Sequence, residues 1–138
     1  MGGVQLKMEK KENTETARVG YINGLLEVYV KTDDGGNIPH VHVRDINSQG
    51  KLFETCIELK SNRYFLHGKY TQTLTKAQCR QFNAYMHEEI HTKTFNGTVY
   101  ELAVDMWNYN NSRVKVQVEY DEQNQPVFPN YDTIILNK

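Results

Sequence analysis

The chain has 138 residues, a formal net charge of −1 and a charged fraction of 24%. That length is typical of a single domain with its own core, and the near-zero charge argues against a general nucleic-acid binder, which usually carries an excess of Lys and Arg. No apolar run approaches the roughly 20 residues that a membrane-spanning helix needs, and the first residues carry no apolar stretch typical of a signal peptide. We therefore expect a cytoplasmic protein without a membrane segment.

The N-terminal half predicts an antiparallel β-meander that follows a flexible tail. The tail covers residues 1–16, which are polar and mixed in charge, although the alternation of Val4, Leu6 and Met8 leaves an edge strand there as an alternative. Strands are predicted at residues 18–22, 25–30, 38–43, 52–59 and 63–67. Turn-forming residues separate them, at 23–24, 33–37, 47–50 and 61–62. The alternation gives the meander one apolar face and one mixed polar face.

The hydrophobic period changes from two to about 3.6 residues after Gly68, which predicts two helices. The first has Thr73 or Thr75 as its N-cap and ends at Ile90. Its apolar stripe consists of Leu74, Ala77, Phe82, Tyr85, Met86 and Ile90. After a connection at residues 92–97, the second helix extends from Thr98 to Tyr109. Its buried side consists of Val99, Leu102, Ala103, Met106 and Trp107.

The C-terminal residues predict further β-structure. Val114, Val116, Val118 and Tyr120 alternate with polar residues, which is typical of a strand with one exposed face. A second β-prone run covers residues 131–136, so we expect a hairpin or a second small sheet. The fold class is therefore α+β: an antiparallel β-meander sheet packed on two α-helices, with a C-terminal β-hairpin extension. The expected boundaries are a tail at 1–16, an α+β domain at 17–112 and the extension at 113–138.

Two histidines in the third strand form the first candidate site. Because side chains alternate across a strand, His40, His42 and Arg44 share one face while Val41 and Val43 share the other. We expect the imidazoles to point outward on the polar face. Their spacing suits a shared metal ion or a phosphate oxygen, with a third ligand from Glu54, Glu58 or His67. The alternative is that the two histidines are half-exposed, pack against neighbouring aromatic side chains and bind no ligand. Short motifs often match by chance, and this favours the alternative.

The run from His87 to His91 matches the H-E-x-x-H pattern of zinc proteases. However, Glu89 and Lys93 are charged where such enzymes carry uncharged residues, and Gly97 stands where a third ligand would be expected. The helical wheel also places His87 away from the apolar stripe. We therefore interpret this match as chance.

The two cysteines, Cys56 and Cys79, form neither a metal-binding spacing nor a disulfide framework. We expect reduced thiols rather than a bridged pair. The sequence shows no phosphate-binding glycine loop, nucleophile elbow or Cys–His pairing.

The run Pro39–Val43, the strand at residues 53–59 and the helix that contains Trp107 together resemble the bacterial domain-of-unknown-function 4160 family, over roughly residues 19–110. This resemblance implies an α+β fold with a sheet packed on two helices. It implies no firm activity, but it suggests a toxin–antitoxin or mobile-element context. The residues after Ser112 lie beyond the usual domain and the loops are longer, so the C-terminal extension is a candidate for the particular function.

The remaining binding candidates are aromatic or basic. Tyr120, Phe128 and Tyr131 either anchor an interface or close the core of the extension. Four basic residues could line one surface that binds nucleic acid: Lys69, Lys76, Arg80 and Arg113. We rank nucleic acid last among the expected partners.

Two hypotheses of function follow. The first is a small protein-interaction module without a cofactor, able to form a homodimer. The resemblance to the domain-of-unknown-function 4160 family implies, more specifically, an accessory protein of a phage or mobile element that inhibits a host system. Its candidate binding residues are His40, His42, Arg44, Tyr120, Phe128 and Tyr131. The second is a small metal-dependent hydrolase or nuclease that uses His40 and His42 with Glu58. The absence of a complete catalytic set in the sequence favours the first, a protein that is not an enzyme.

Overall fold

The computed structural model describes residues 16–32, 38–47 and 53–136. Within these ranges, four strands form an antiparallel sheet in sequence order. They are β1 (Ala17–Ile22), β2 (Leu26–Val30), β3 (His40–Asp45) and β4 (Glu54–Glu58). The first four strands of the predicted meander are therefore confirmed. The fifth, predicted at residues 63–67, is wrong, because this stretch makes only isolated bridges. Residues 1–15 of the predicted tail, the loop at 33–37 and residues 48–50 of the predicted turn lie outside the described residues.

Two helices and two short hairpins follow in the described part of the chain. In order, they are α1 (Lys76–His87), β5 (Glu89–His91), β6 (Asn96–Thr98), α2 (Val99–Asn110), β7 (Glu119–Tyr120) and β8 (Pro126–Val127). The two hairpins are β5–β6 and β7–β8. The α+β class is confirmed, with a small hairpin near the C-terminus. No described helix has both the length and the apolar character needed to cross a membrane.

One face of the sheet forms the main core with the helices. Val28 pairs with Val43, and Val41 pairs with Ile57, so apolar side chains lie side by side across three strands. These residues share one buried cluster with Phe82 of α1 and with residues of α2. Asn23 and Gly24 both have a positive φ, of 51° and 69°. This backbone conformation gives the turn the twist that a tight hairpin between β1 and β2 requires.

Both helices begin with a capping box. Thr75 and Thr98 each accept a hydrogen bond from the backbone N–H three residues later, and the side chains of Gln78 and Glu101 accept one from the N-cap backbone in return. This pairing satisfies two N–H groups that a helix start leaves without a helical partner. It settles Thr75, rather than Thr73, as the first cap.

The first helix is shorter than predicted. The backbone of Glu88 is extended, with ψ of 146°, and its N–H donates to the carbonyl of Tyr85, which ends α1 at His87. Ile90 instead pairs with Gly97 in the β5–β6 hairpin. The predicted helix end at Ile90 is therefore wrong, because hairpin pairing wins over the helical period there. Ala77 is exposed, and Cys79 occupies the core in its place.

The C-terminal hairpin forms between different residues from those predicted. Residues 119–120 pair with 126–127, whereas Ile135 makes only a single parallel bridge to Arg63. The stretch before β7 is held by α2: Trp107 donates to the carbonyl of Val114, and the side-chain amide of Asn108 bonds both backbone groups of Val116. Because these polar groups are already bonded to α2, residues 114–118 do not form the predicted strand.

Candidate metal centre under the sheet

The second face of the sheet carries polar side chains from three adjacent strands. His42 of β3 pairs with Tyr29 of β2 on one side and with Cys56 of β4 on the other, while His40 pairs with Glu58. Neighbours across an antiparallel pair point to the same face. The strand alternation predicted from sequence therefore brings two imidazoles and a thiol together.

A segment that follows β4 covers this face. We call residues 63–72 the covering segment. The N–H of Phe65 donates to the carbonyl of Cys56, which pairs the segment with β4. Two backbone bonds of 3.1 and 2.8 Å between His67 and Tyr70 then close a tight turn, in which Gly68 has a positive φ of 54°. The amide oxygen of Gln72 accepts from the N–H of Glu54 and fixes the far end.

The covering segment buries the histidine pair. His40 and His42 are both 0% exposed. The ring of His40 lies 4.8 Å from Phe65 and 5.3 Å from Trp107, and the ring of His42 lies 4.8 Å from Tyr70. The expectation that these imidazoles point outward, half-exposed, is wrong, although the expected packing against aromatic rings is confirmed. The sequence gives the face of each side chain correctly but does not reveal what covers that face.

Three potential ligands converge in this covered layer. His40, Cys56 and His67 each offer one ligand atom, and these atoms all lie within 4.8 Å of one another. His67 was predicted as a third ligand, whereas Cys56 was not. The statement that the chain has no Cys–His pairing is therefore corrected. The alternation in β4 predicts that Cys56 shares a face with Glu54 and Glu58, but it does not reveal that His67 folds onto that face.

The hydrogen bonds of the two histidine ligands determine their tautomers. His40 Nδ1 lies 2.7 Å from the carbonyl oxygen of Ile38, and His67 Nδ1 lies 2.9 Å from that of Phe65. A carbonyl oxygen can only accept, so each Nδ1 carries a hydrogen, and a neutral ring in this orientation has its lone pair on Nε2. This backbone support is the arrangement that typically orients a metal-binding histidine.

A carboxylate supports the third imidazole. Glu54 Oε2 lies 3.2 Å from His42 Nδ1 and also accepts a hydrogen bond from the Tyr29 hydroxyl. Burial alone would raise the pKa of Glu54, but the hydrogen bonds from His42 and Tyr29 outweigh it and the pKa lies below its ordinary value. Burial, and then the bond to Glu54, raises the pKa of Tyr29. Glu54 therefore remains an anion that accepts from both partners.

Cys56 also contacts His42, at 3.3 Å from Nδ1 and 3.8 Å from Nε2. Cys56, His42 and Glu54 are the residue types that can serve as a nucleophile, a general base and an acid that orients the base. In such a set, however, the nucleophile and the acid use different ring nitrogens, whereas here both lie nearest to Nδ1. Cys56 is also fully buried. The arrangement suits a ligand better than a nucleophile.

Two other predicted site residues are engaged elsewhere. Arg44 donates to Glu27 at 2.8 Å, and its guanidinium lies 4.2 Å from the ring centre of Tyr29. Glu58 accepts from the hydroxyl of Ser61 and does not belong to the convergent group. Arg44 and Glu58 therefore border the site without entering it.

The H-E-x-x-H run does not form a zinc-protease site. Such a site needs both histidines on one helix, but α1 ends at His87 and His91 lies in β5. His91 bonds Asn96 through Nδ1 and Glu89 through Nε2. The geometry agrees with the interpretation of this pattern as chance.

The predicted aromatic and basic groups divide between core and surface. Tyr131 is fully buried and its hydroxyl donates to the carbonyl of Glu58, so it is not an exposed anchor. Phe128 stacks on Tyr100 at 4.2 Å, and Tyr120 is half-exposed. Among the four cations, Lys76 and Arg80 line one cavity, while Lys69 lies over the ring of Tyr70.

Comparison of the chain with models of protein families, with curated proteins and with solved structures found no match. The resemblance to the domain-of-unknown-function 4160 family therefore stays a prediction. The interpretation of the site depends on its geometry.

Proposed function

We propose that this chain is a small metal-binding protein that holds one transition-metal ion between β3, β4 and the covering segment. The observation that carries the proposal is the convergence of His40, Cys56 and His67 within 4.8 Å, with both histidines held in the tautomer that leaves Nε2 to bind. The proposal departs from the sequence-based expectation of a chain without a cofactor.

The donor set selects the class of metal. Two imidazoles and one thiolate suit Zn²⁺ or a copper ion, whereas Mg²⁺ and Ca²⁺ prefer oxygen ligands. Ligand atoms around tetrahedral zinc are separated by about 3.3–3.8 Å. An ion would therefore draw these three donors together by on the order of 1 Å, which side-chain rotation can supply. We expect zinc.

His42 lies beside the convergent group without belonging to it, so its ring would have to move closer to serve as a fourth donor. With Nδ1–H directed at the carboxylate of Glu54, its Nε2 keeps a lone pair 3.8 Å from Cys56 Sγ. A carboxylate behind a histidine is a common support for zinc ligands. A set of one thiolate and three imidazoles would complete a closed tetrahedral site, which is typical of structural zinc.

A structural role has more support than a catalytic one. The alternative, a hydrolase or nuclease that uses His40, His42 and Glu58, needs a coordination position that a substrate can reach. His40, His42 and Cys56 are all fully buried. The donors come from three separate elements, so a bound ion would tie the covering segment to the sheet and add its binding energy to the folding stability.

The test begins with the full chain purified under reducing conditions. We expect one zinc ion per chain by elemental analysis. After replacement of zinc by cobalt, we expect the visible absorption of tetrahedral cobalt and a near-ultraviolet thiolate-to-cobalt band. Cys56→Ser should abolish the thiolate band, because sulfur supplies it.

Cys79→Ser is the matched control, since Cys79 is also a buried free thiol but lies outside the cluster. It should retain both absorption features. A wild-type chain that binds neither metal, or a thiolate band that depends on Cys79 instead of Cys56, contradicts the proposal.

The first hypothesis, a protein-interaction module, has support from one surface. Tyr109 is 87% exposed on α2 and, together with Met106 and Ala17, lines a groove of about 510 Å³. Because the exposed ring and the groove lie side by side, two copies related by a twofold axis can each insert Tyr109 into the groove of the other. We therefore propose a second copy of this chain as the occupant.

The oligomeric state tests this second candidate. Sedimentation of the wild-type chain over a range of concentrations should show a monomer–dimer equilibrium that Tyr109→Ser shifts to monomer. Tyr120→Ser, which also alters an exposed tyrosine, should leave it unchanged. A wild-type chain that stays monomeric at all concentrations, or equal effects of the two variants, would sink the proposal. The inhibitor role in a phage or mobile element stays a prediction from the resemblance.

A further inference from the structure

A cavity of about 600 Å³ lies between the start of α1 and the C-terminal residues 132–136. Its floor consists of buried side chains, Tyr64, Leu74, Cys79 and Ile134. The hydroxyl of Tyr64 accepts from the N–H of Leu74 at 2.9 Å, which fixes two walls against each other. The cavity contains none of the proposed metal ligands, although Tyr64 belongs to the covering segment, and it has the size of a small-molecule site.

The rim of this cavity is positively charged. Lys76 and Arg80 lie one turn apart on α1 and both line it, whereas Asp132 is the one carboxylate among the lining residues that the structure describes. Within the described residues, neither cation forms an ion pair or a hydrogen bond. The first turn of α1 carries no acidic residue that would offset the positive end of the helix. Among the described residues that line the cavity, two cations and one carboxylate leave an excess of one positive charge.

We propose that this cavity binds an alkyl carboxylate, a small monoanion with an apolar chain. The carboxylate would lie between Lys76 and Arg80, where a planar guanidinium can donate two parallel hydrogen bonds to it. The chain would cover Leu74 and Ile134 on the floor and remove apolar surface from water. A single negative charge matches the excess charge at the rim. The inference is independent of the proposed metal function.

Octanoate is the probe, and octan-1-ol is the neutral control of the same chain length. In titrations of the ¹⁵N-labelled full chain, we expect octanoate to shift amide signals of residues 73–80 and 132–136 in a saturable way. Octan-1-ol should bind at least about tenfold more weakly, because it lacks the charge-assisted bonds. Arg80→Gln and Lys76→Gln should each raise the dissociation constant for octanoate by about tenfold.

Arg113→Gln is the matched variant, because it removes one exposed positive charge away from the cavity. It should leave the octanoate affinity unchanged, and the amide spectra report directly that each variant is folded. Three results overturn the proposal: no saturable shifts at these residues, equal binding of octanoate and octan-1-ol, or a loss of affinity in Arg113→Gln as large as that in Arg80→Gln.

Discussion

Single hydrogen bonds determine what the imidazoles under the sheet can do. In His40 and His67, a backbone carbonyl two residues earlier in the chain occupies Nδ1, which leaves Nε2 for an ion. In His42, the same nitrogen faces Glu54. The two buried histidines and the partly buried His67 thus have their Nδ1 atoms beside oxygen acceptors, and this common orientation is the residue-scale basis of the metal proposal.

The close approach of β1 to α1 gives the first prediction. A Cβ atom added at Gly20 would lie 2.1 Å from the hydroxyl oxygen of Tyr85, which is itself buried. Gly20→Ala should therefore lower the free energy of unfolding by about 1–3 kcal/mol, because one partner must move. In a Tyr85→Phe background, the cost of Gly20→Ala should be smaller, since the clashing oxygen is gone. Urea denaturation measures both, and equal costs in the two backgrounds would refute this explanation.

Individual elements are stabilised by side chains at their ends. In α2, Glu101 accepts from the backbone and hydroxyl of Thr98, and it also accepts from the hydroxyl of Tyr120 in β7. Partial burial would raise the pKa of Glu101, but the bonds from Tyr120 and Thr98 outweigh it and the pKa is lowered. The helix start and the C-terminal hairpin therefore share one carboxylate.

This shared carboxylate gives a pH prediction. Because the pKa of Glu101 is lower in the folded chain, its contribution to stability is present above the pKa of the unfolded chain, about 4.3. It is lost as the pH falls through the folded value. Glu101→Gln keeps the shape of the capping box without the charge. The difference in unfolding free energy between wild type and this variant should therefore shrink between about pH 6 and pH 3. A constant difference in acid denaturation curves would contradict the assignment.

The covering segment is the element that the proposed ion would fix. If zinc ties His67 to β3 and β4, its removal by a chelator should increase hydrogen exchange at residues 65–70 more than in β2, which supplies no ligand. His67→Gln should show the faster exchange even with zinc present. Equal exchange of the covering segment in the loaded and the chelated protein would show that no ion holds it.

At the scale of the whole molecule, the C-terminal residues complete the core. Tyr131 is fully buried, meets Phe82 edge to face at 5.0 Å, and donates its hydroxyl to the carbonyl of Glu58. Ile134 and Val116 belong to the same core cluster. The residues after α2 are thus bonded to both the sheet and the helices.

Tyr131 therefore gives the whole-molecule prediction. Tyr131→Ala should lower the free energy of unfolding by about 3–5 kcal/mol, because it opens a cavity in the core. Leu25→Ala, which truncates a side chain that is exposed in the β1–β2 turn, should change it by no more than about 0.5 kcal/mol. Denaturation of both variants under the same conditions measures the two losses of unfolding free energy. Similar losses would mean that the C-terminal residues contribute little to the core.

Local patterns of the sequence determined most of the strands and helices. The period of two in β3 correctly assigned His40 and His42 to one face, and Val41 and Val43 to the other. Asn23-Gly24 correctly predicted the β1–β2 turn, and the capping residues Thr75 and Thr98 lie where α1 and α2 begin. These features depend on residues within one turn or one strand of each other, so the sequence alone contains them.

Only the tertiary structure decided which segments cover those elements. His67 reaches His40 because residues 63–72 fold back over the sheet, and Cys56 joins them through cross-strand pairing. Likewise, Asn108 takes the backbone bonds of Val116 that a strand would have used. Such contacts link residues far apart in the chain, and no local period or turn signal encodes them. The sequence thus determined which way each side chain points, and the folded chain determined what it meets.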